Sequence, residues 1–211
     1  MDIINSDYRC NQYRYSNADF LFQEKKRDFE DKVKNAHPRL KNFYRNVKKK
    51  EFSKNFDFKK TIYNNSCVYC GLSALLIPKS TFEIDHVLPK AIKEDNGLYN
   101  IVCACKYCNR KKSHFHCKIS SNQELLHPDN NHLQEIFYRD SNYYIKINDL
   151  YKANDDITQF YQQLGLGEEN KRLEYLILEI RDFCESYPKD SSLLNLRLFV
   201  NELREKWSYQ A

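Results

Sequence analysis

Residues 19–50 alternate apolar and charged positions with the period of a helix. Pro38 separates two such stretches, residues 19–36 and 39–50. The apolar faces consist of Phe22, Phe29 and Val33 in the first stretch and Leu40, Phe43, Tyr44 and Val47 in the second. The opposite faces carry Lys25, Lys26, Arg27, Lys48, Lys49 and Lys50. We therefore predict two amphipathic helices whose basic faces contact either solvent or a nucleic-acid backbone.

The pattern after residue 121 predicts a β-hairpin followed by helices. Segments 135–139 and 143–147 are rich in β-forming residues and flank the turn-like sequence DSN at 140–142. From residue 158 the period is helical until Pro188, and a last helix is expected from about Ser191. The apolar stripes of these helices are Leu173, Leu176, Ile177, Ile180, Cys184 and Tyr187, and then Leu196, Phe199, Leu203 and Trp207. The stripes predict core positions, with a partner-protein interface as the alternative for the acidic outer surface.

Composition indicates one compact body built from three regions. Apolar residues make up 41% of the chain and aromatic residues 14%, which excludes a disordered chain. Four glycines and five prolines leave little material for a flexible linker. We predict a basic N-terminal helical region over residues 1–60, a central region over 61–120, and a hairpin with an acidic helical region over 121–211, packed together.

Charge differs strongly between these three regions. The net formal charge is +7 over residues 1–60, +4 over 61–120 and −6 over 121–211. Because each Lys or Arg that neutralises a phosphate releases a condensed counterion, the first two regions are suited to bind a polyanion such as DNA. The last region would repel a polyanion.

The eight cysteines are expected to be metal ligands and free thiols rather than disulfides. No apolar run approaches the roughly 18 residues of a membrane span, and the opening residues lack the basic start and apolar centre of a signal peptide. We therefore expect a cytoplasmic protein without membrane contact, and disulfides are rare in that reducing compartment. Five of the eight cysteines lie between Cys67 and Cys108.

Two C-x-x-C pairs predict a structural zinc site. Cys67 and Cys70 form the first pair, and Cys105 and Cys108 form the second. Each pair presents two thiolates from a tight turn, and four sulfurs satisfy the tetrahedral preference of zinc without an open position. Cys103 is interpreted as a buried strand residue, since a C-x-C spacing suits one tetrahedral ion less well.

The segment between the two pairs contains the side chains that phosphodiester hydrolysis needs. Asp85 and His86 lie in an alternating stretch that predicts a strand; a second strand is expected from Asn100 and a helix from about Lys106. His86 can act as the general base, because imidazole titrates near neutral pH. Asp85 and the side-chain oxygen of Asn109 can bind one Mg²⁺, and Asn100 can hold the loop between the strands.

This arrangement over residues 67–113 resembles the HNH endonuclease family, in which two strands and a helix enclose one catalytic metal and a four-cysteine zinc often supports them. The resemblance implies that His86 is the general base, that Asp85 and Asn109 bind Mg²⁺ or Mn²⁺, and that Asn100 holds the loop. The predicted fold class is therefore α+β, a mostly helical body around a small ββα-metal HNH core with a structural zinc.

Residues around this core were assigned supporting roles. Arg110, Lys111 and Lys112 on the predicted helix are expected to face DNA phosphates, with Lys112 in direct contact. Glu83 either orients the metal ligands or binds a second ion, although a structural role is favoured. His127 is a candidate accessory site residue.

A further resemblance concerns the residues after the core. The sequence Leu126-His127-Pro128-Asp129, the predicted hairpin, and the segment 158–166 leading into a helix with Arg172 resemble the PtuB-like HNH subunit of Septu-type anti-phage defence systems. The resemblance implies an effector nuclease with an ATPase partner of the PtuA type, which would dock on the acidic helical region.

Two other functions remain open at this stage. A stand-alone HNH restriction endonuclease would need direct base readout in the major groove, and the sequence shows no evident module for it. A catalytically silent zinc-dependent DNA-binding or scaffold protein would keep the fold without the chemistry. The joint presence of Asp85, His86, Asn100 and Asn109 argues against this third possibility.

Overall fold

Helices surround two small antiparallel sheets, which confirms the predicted α+β class. The computed structural model describes residues 7–10 and 21–208, except for the side chains of residues 207 and 208. The helices are α1 (Phe22–Ala36), α2 (Phe43–Val47), α3 (Lys50–Asn55), α4 (Phe58–Tyr63), α5 (Lys106–Lys112), α6 (Ser120–Leu125), α7 (Leu133–Ile136), α8 (Asp155–Leu164), α9 (Glu169–Ser186) and α10 (Leu194–Ser208), and the strands are β1 (Phe82–His86), β2 (Ile101–Cys105), β3 (Phe137–Arg139) and β4 (Ile145–Ile147). In the described part of the chain, none of these helices has the length and apolarity of a membrane span.

Strands β1 and β2 and helix α5 form the predicted strand-strand-helix unit. The strands pair antiparallel with Phe82 opposite Cys105 and His86 opposite Ile101. Every residue of β2 is buried, as its continuous apolar sequence predicts for a strand covered on both faces. Helix α5 follows β2 without a loop, because the Cys105 sulfur accepts a hydrogen bond from the Cys108 amide at 3.4 Å and caps the first turn.

The predicted helix over residues 39–50 was wrong in its boundaries. The Asn42 side chain accepts a hydrogen bond from the Arg45 amide at 2.8 Å, so α2 begins only at Phe43. Extended backbone at Lys49 then separates α2 from α3. For the first predicted helix, α1 begins at Phe22, and residues 19 and 20 lie outside the described part of the chain.

Helix α1 buries a lysine on its apolar face. Phe22, Phe29 and Val33 are buried as predicted, but Lys26 between them has no exposed surface. The prediction that Lys26 lies on the basic outer face was therefore wrong. Its ammonium pairs with Asp129 and donates to the Ile101 carbonyl at 2.8 Å.

The segment from Leu126 to Asp129 binds several elements of the fold through hydrogen bonds and an ion pair. The Asp129 carboxylate accepts a hydrogen bond from the Tyr63 hydroxyl at 2.8 Å in addition to its pairing with Lys26. The carbonyl of Pro128 accepts from Arg9 at 2.9 Å. This segment therefore joins α1, α4 and the N-terminal residues to the start of β2.

The C-terminal region contains the predicted hairpin, and its strands are shorter than expected. β3 and β4 pair with Phe137 opposite Ile147, while residues 135 and 136 belong to α7. The helical stretch that begins near residue 158 is divided at Gly165, whose left-handed backbone (φ +61°) ends α8.

The apolar stripes of α9 and α10 were predicted only in part. On α9, Ile177 and Cys184 are buried, but Leu173 is 38% exposed and Tyr187 is 53% exposed, because the helix turns Lys171 and Glu174 inward. On α10 the buried residue is Val200, with Leu203 packed against the core, whereas Phe199 is 52% exposed. The predicted position of the Trp207 side chain lies outside the described residues.

The Lys26–Asp129 pair predicts a large effect of a small substitution. Asp129→Asn leaves the Lys26 ammonium buried without a counter-charge, and we expect the free energy of unfolding to fall by about 3–5 kcal/mol. Urea denaturation of the zinc-loaded protein measures this change. Glu30→Gln is the control, because it breaks the partly exposed Lys34–Glu30 pair on the same helix and should destabilise the protein much less. Equal losses in the two variants would contradict the prediction.

Candidate active site

The four predicted cysteines converge on one buried point. The sulfur atoms of Cys67, Cys70, Cys105 and Cys108 all lie within 4.8 Å of one another, and all four residues are buried. None of the eight cysteines forms a disulfide. Four sulfurs without a carboxylate or imidazole form the donor set that suits a closed zinc site. Cys103 is fully buried on β2 and does not belong to the cluster, as predicted.

Two buried cations from the C-terminal region accompany the cysteines. Lys171 of α9 has a pKa well above its usual value, since the sulfurs of Cys70 and Cys108 and the carboxylate of Glu174 outweigh the effect of burial. Arg139 of β3 is 1% exposed and lies over the Tyr175 ring at 3.9 Å. Burial lowers the pKa of Arg139, and the negative charge of Cys70 opposes that decrease. A tetrathiolate zinc carries negative charge, so these cations would compensate it within the core.

Helix α5 meets β1 through two polar pairs. Glu83 and Asp85 are two apart in the strand and project from the same face. Opposite them, the Asn109 amide nitrogen donates to Glu83 at 2.6 Å, and the Lys112 ammonium lies 3.2 Å from Asp85. The structure therefore brings Asn109 to Glu83 and Lys112 to Asp85.

Asp85 is a buried carboxylate held from two sides. The Tyr69 hydroxyl donates to Asp85 Oδ2 at 2.7 Å, and Tyr69 lies inside the first C-x-x-C pair. Burial raises the pKa of Asp85, and the Lys112 ammonium and the Tyr69 hydroxyl oppose that rise. The zinc-binding turn and the Asp85 carboxylate are thus connected through one side chain.

The prediction that Lys112 contacts a DNA phosphate is not supported. Lys112 is 2% exposed, and its ammonium donates to the His86 carbonyl at 2.8 Å beside Asp85. Its neighbours Arg110 and Lys111 are both exposed. The Lys111 ammonium lies 3.8 Å from the Glu168 carboxylate. Arg110 and Lys106 line an open cavity of about 620 Å³ next to α5. For Arg110 and Lys111, contact with DNA stays a prediction.

His86 lies at the end of β1 and contacts elements outside the strand-strand-helix unit. Its Nε2 atom is 3.2 Å from Asn96 Oδ1, and the Asn96 amide nitrogen is 3.2 Å from Glu94. The Glu94 carboxylate can only accept, so it orients Asn96 with its oxygen toward His86. That oxygen also only accepts, so Nε2 carries a proton and Nδ1 is the lone-pair nitrogen of neutral His86.

The surroundings of His86 favour its neutral form. Burial lowers the pKa of His86, and the nearby ammonium groups of Lys90 and Lys112 lower it further, against the effects of Asn96 and Asp85. The imidazole ring also packs against Tyr44 of α2, with 4.1 Å between the ring centroids. An imidazole that is unprotonated at neutral pH can accept a proton from water.

Asn100 has the contacts that a loop-holding asparagine requires. Its side-chain oxygen accepts from the Leu88 amide at 2.8 Å, and its amide nitrogen donates to the carbonyls of Leu88 and Asp95 at 3.2 Å and 2.9 Å. The backbone carbonyl of Asn100 accepts from Val87 at 2.8 Å. These bonds fix the chain directly after His86.

His127 lies in a packing position away from these groups. Its Nε2 atom is 3.1 Å from the Tyr99 carbonyl, and its Nδ1 atom accepts from the Asp129 amide at 3.3 Å. Because both ring nitrogens bind backbone groups, His127 suits a structural role, and the accessory role predicted for it lacks a vacant ring atom.

Several residues near the site were missed by sequence reasoning. They are Tyr44, Tyr69, Lys90, Glu94 and Asn96. Their signal was weak, because Tyr69 looks like a spacer between cysteines, and Glu94 and Asn96 lie in a polar loop. Tyr44 was assigned to the apolar face of a helix, and only the fold reveals that this face meets His86.

Comparison with known proteins agrees with this geometry. Residues 67–115 match the family model described as HNH endonuclease. The matched segment contains both C-x-x-C pairs, β1, β2 and α5, and together with the cysteine cluster it supports the HNH family for this part of the chain. No curated protein and no solved structure matched the chain.

The cysteine cluster yields a prediction that separates its members from their neighbour. The purified protein should contain one zinc ion per chain, and Cys70→Ala should lose most of it, since three ligands no longer close the tetrahedral site. Cys103→Ala should keep its zinc, although Cys103 is equally buried on the adjoining strand. Elemental analysis of the folded variants measures the content. Loss of zinc from both variants to the same extent would contradict the assignment.

Proposed function

We propose that this chain is a metal-dependent HNH endonuclease that hydrolyses phosphodiester bonds in DNA. The observation that carries the proposal is the placement of His86 at the end of β1, with its Nε2 atom 3.2 Å from Asn96 Oδ1, on the same strand as the carboxylates of Glu83 and Asp85. The family match over residues 67–115 supports it. These are the parts of a site that activates water next to a bound cation.

The donor set on β1 and α5 fits a hard divalent cation such as Mg²⁺ or Mn²⁺. Asp85 offers a carboxylate, and Glu83 holds the nitrogen of Asn109, which leaves the amide oxygen of Asn109 on the other side as a donor. Asp85 and Asn109 would hold the ion. When bound, it supplies positive charge for the phosphate and the leaving oxygen.

The remaining chemistry belongs to the protein itself. His86 takes a proton from the attacking water at Nδ1 while the water oxygen bonds to phosphorus and the bond from phosphorus to the leaving sugar oxygen breaks. Asn96 keeps the imidazole in the required tautomer through Nε2, and Asn100 fixes the backbone that follows. The Lys112 ammonium contacts both the carboxylate of Asp85 and the carbonyl of His86. It therefore holds the general base His86 and the metal ligand Asp85 in a fixed relative position.

The proposal includes a role in bacterial anti-phage defence with an ATPase partner of the PtuA type. It is supported by the resemblance of residues 126–129 and 158–166 to PtuB-like subunits. It is also supported by exposed apolar side chains on α10, namely Leu194, Leu198 and Phe199, which offer a surface for a partner. Addition of a candidate ATPase to the cleavage assay tests this part, and nicking at the same rate with and without it would contradict the partner.

The nuclease proposal is tested with supercoiled plasmid. We expect nicking in Mg²⁺ or Mn²⁺ but not in EDTA, and at least a 100-fold lower rate for His86→Ala, because a general base contributes about 10²–10⁴-fold. His132→Ala is the matched control, since the His132 side chain is 49% exposed, lies beside Glu135 and should have no effect.

The outcomes of this assay separate the alternatives. Discrete fragments from the protein alone would indicate a stand-alone restriction endonuclease. Binding of DNA without nicking, with or without an ATPase, would indicate the silent DNA-binding protein. Equal nicking by wild type and His86→Ala, with zinc retained in both, would contradict the assignment of His86.

The contact between Tyr69 and Asp85 predicts that the zinc-binding turn supports catalysis. Tyr69→Phe keeps the buried ring and removes the hydroxyl that holds Asp85. Loss of a group that orients a metal ligand costs about 10–100-fold in activity or metal affinity, so the nicking rate should fall by that factor. Tyr63→Phe is the control, because the Tyr63 hydroxyl also donates to a buried carboxylate, that of Asp129, away from His86. Equal nicking rates for Tyr69→Phe and Tyr63→Phe would contradict the role proposed for Tyr69.

A further inference from the structure

Two lysine side chains converge on one aromatic ring beside His86. The ammonium of Lys90 lies 4.3 Å from the centroid of the Tyr44 ring, and that of Lys48 lies 4.7 Å from it. Lys48 also donates to the Tyr44 hydroxyl at 3.1 Å. The same ring packs against His86 with 4.1 Å between centroids. We propose that Tyr44, Lys48 and Lys90 form a phosphate-binding site that holds the DNA backbone next to the cleaved bond.

The position of this site is fixed by the elements that hold His86. Helix α2, which carries Tyr44, is attached to the loop of the general base because the Tyr44 amide donates to the Asn96 carbonyl at 3.2 Å. Lys90 follows the Leu88 backbone that Asn100 holds. The two lysines therefore come from separate parts of the sequence and meet at the Tyr44 ring, which packs against His86.

The charges of the site are available for an anion. Lys48 and Lys90 are both exposed, and within the described residues no carboxylate lies within 4 Å of either ammonium. Two ammonium groups that approach the same ring concentrate positive charge there, and a phosphate bound to both would offset that charge. Lys112 cannot supply this contact, because it is buried against Asp85.

The chemistry of the site suits a sugar-phosphate backbone rather than a base edge. Ammonium groups are point charges that bind phosphate oxygens irrespective of sequence, and such contacts fix the position of a nucleic acid on a protein. The inference rests on the proposed nuclease function for its meaning. It assigns a specific part of the basic N-terminal region, α2, to the substrate.

The test measures binding without catalysis. A fluorescein-labelled DNA duplex is titrated with zinc-loaded protein in the absence of Mg²⁺ and Mn²⁺, and the affinity is measured by fluorescence anisotropy at several salt concentrations. Lys48→Gln and Lys90→Gln should each reduce the slope of log affinity against log salt by about 0.9, and each should weaken binding about 5- to 10-fold near 0.1 M salt. The double variant should show about twice the change in slope.

Matched variants separate a local contact from a general loss of positive charge. Lys152→Gln removes the same charge far along the chain, where Lys152 pairs with Asp149, and should leave the slope unchanged. Lys90→Arg keeps the charge and should retain binding.

The result that would overturn the site is a double variant with the wild-type slope, or an equal loss in Lys152→Gln. Failure of the nuclease proposal has a different signature. If the wild type binds DNA with the predicted slopes but never nicks plasmid in Mg²⁺ or Mn²⁺, with or without a candidate ATPase, the phosphate site stands and the catalytic proposal falls. If the wild type nicks and the double variant binds unchanged, the phosphate site alone is wrong.

Discussion

Cys105 imposes the constraint on which the rest of the structure depends. It is the last residue of β2, its sulfur caps the first turn of α5, and the same sulfur belongs to the four-cysteine cluster. A change of strand into helix at a residue of this cluster leaves little freedom in the angle between the two elements. Asn109 and Lys112, which are three apart on α5, therefore face Glu83 and Asp85 on β1.

A second consequence of this geometry is that the two faces of β1 carry different groups of the site. Neighbouring strand residues project to opposite faces, so the oxygen donors Glu83 and Asp85 point toward α5 and the zinc-binding turn. His86 instead meets α2 and the loop that carries Asn96. The Lys112 ammonium touches both Asp85 and the His86 carbonyl, and it keeps the two halves of the site in a fixed relation.

The sequence predicted what depends on local spacing and missed what depends on tertiary contact. Two pairs of equally spaced cysteines identified the metal cluster, and the alternation around Asp85 together with the apolar run after Asn100 identified β1 and β2. The break between α2 and α3 was missed, because it depends on the Asn42 cap and on extended backbone at Lys49. The buried face of α9 differs from the predicted apolar stripe for another reason. The negative charge of the cysteine cluster favours a buried Lys171 on the inner face of this helix.

Lysines show most clearly why burial and function could not be inferred from composition. Lys26 lies between Lys25 and Arg27 in sequence, yet its position in the helix places it on the face of Phe22 and Phe29, where Asp129 provides a counter-charge from 103 residues away. A carboxylate so distant in sequence leaves no periodic signal.

The basic residues around the site also differ in burial between neighbours in the sequence. Lys112 follows Lys111 directly, but one residue of helical rotation directs it at Asp85 instead of solvent. A buried ammonium at that point holds the carboxylate in place and is withdrawn from the surface. On the proposed function, positive charge for a phosphate would come from exposed side chains instead, and the fold places Lys48, directly after α2, and Lys90, in the loop after β1, at the Tyr44 ring beside His86.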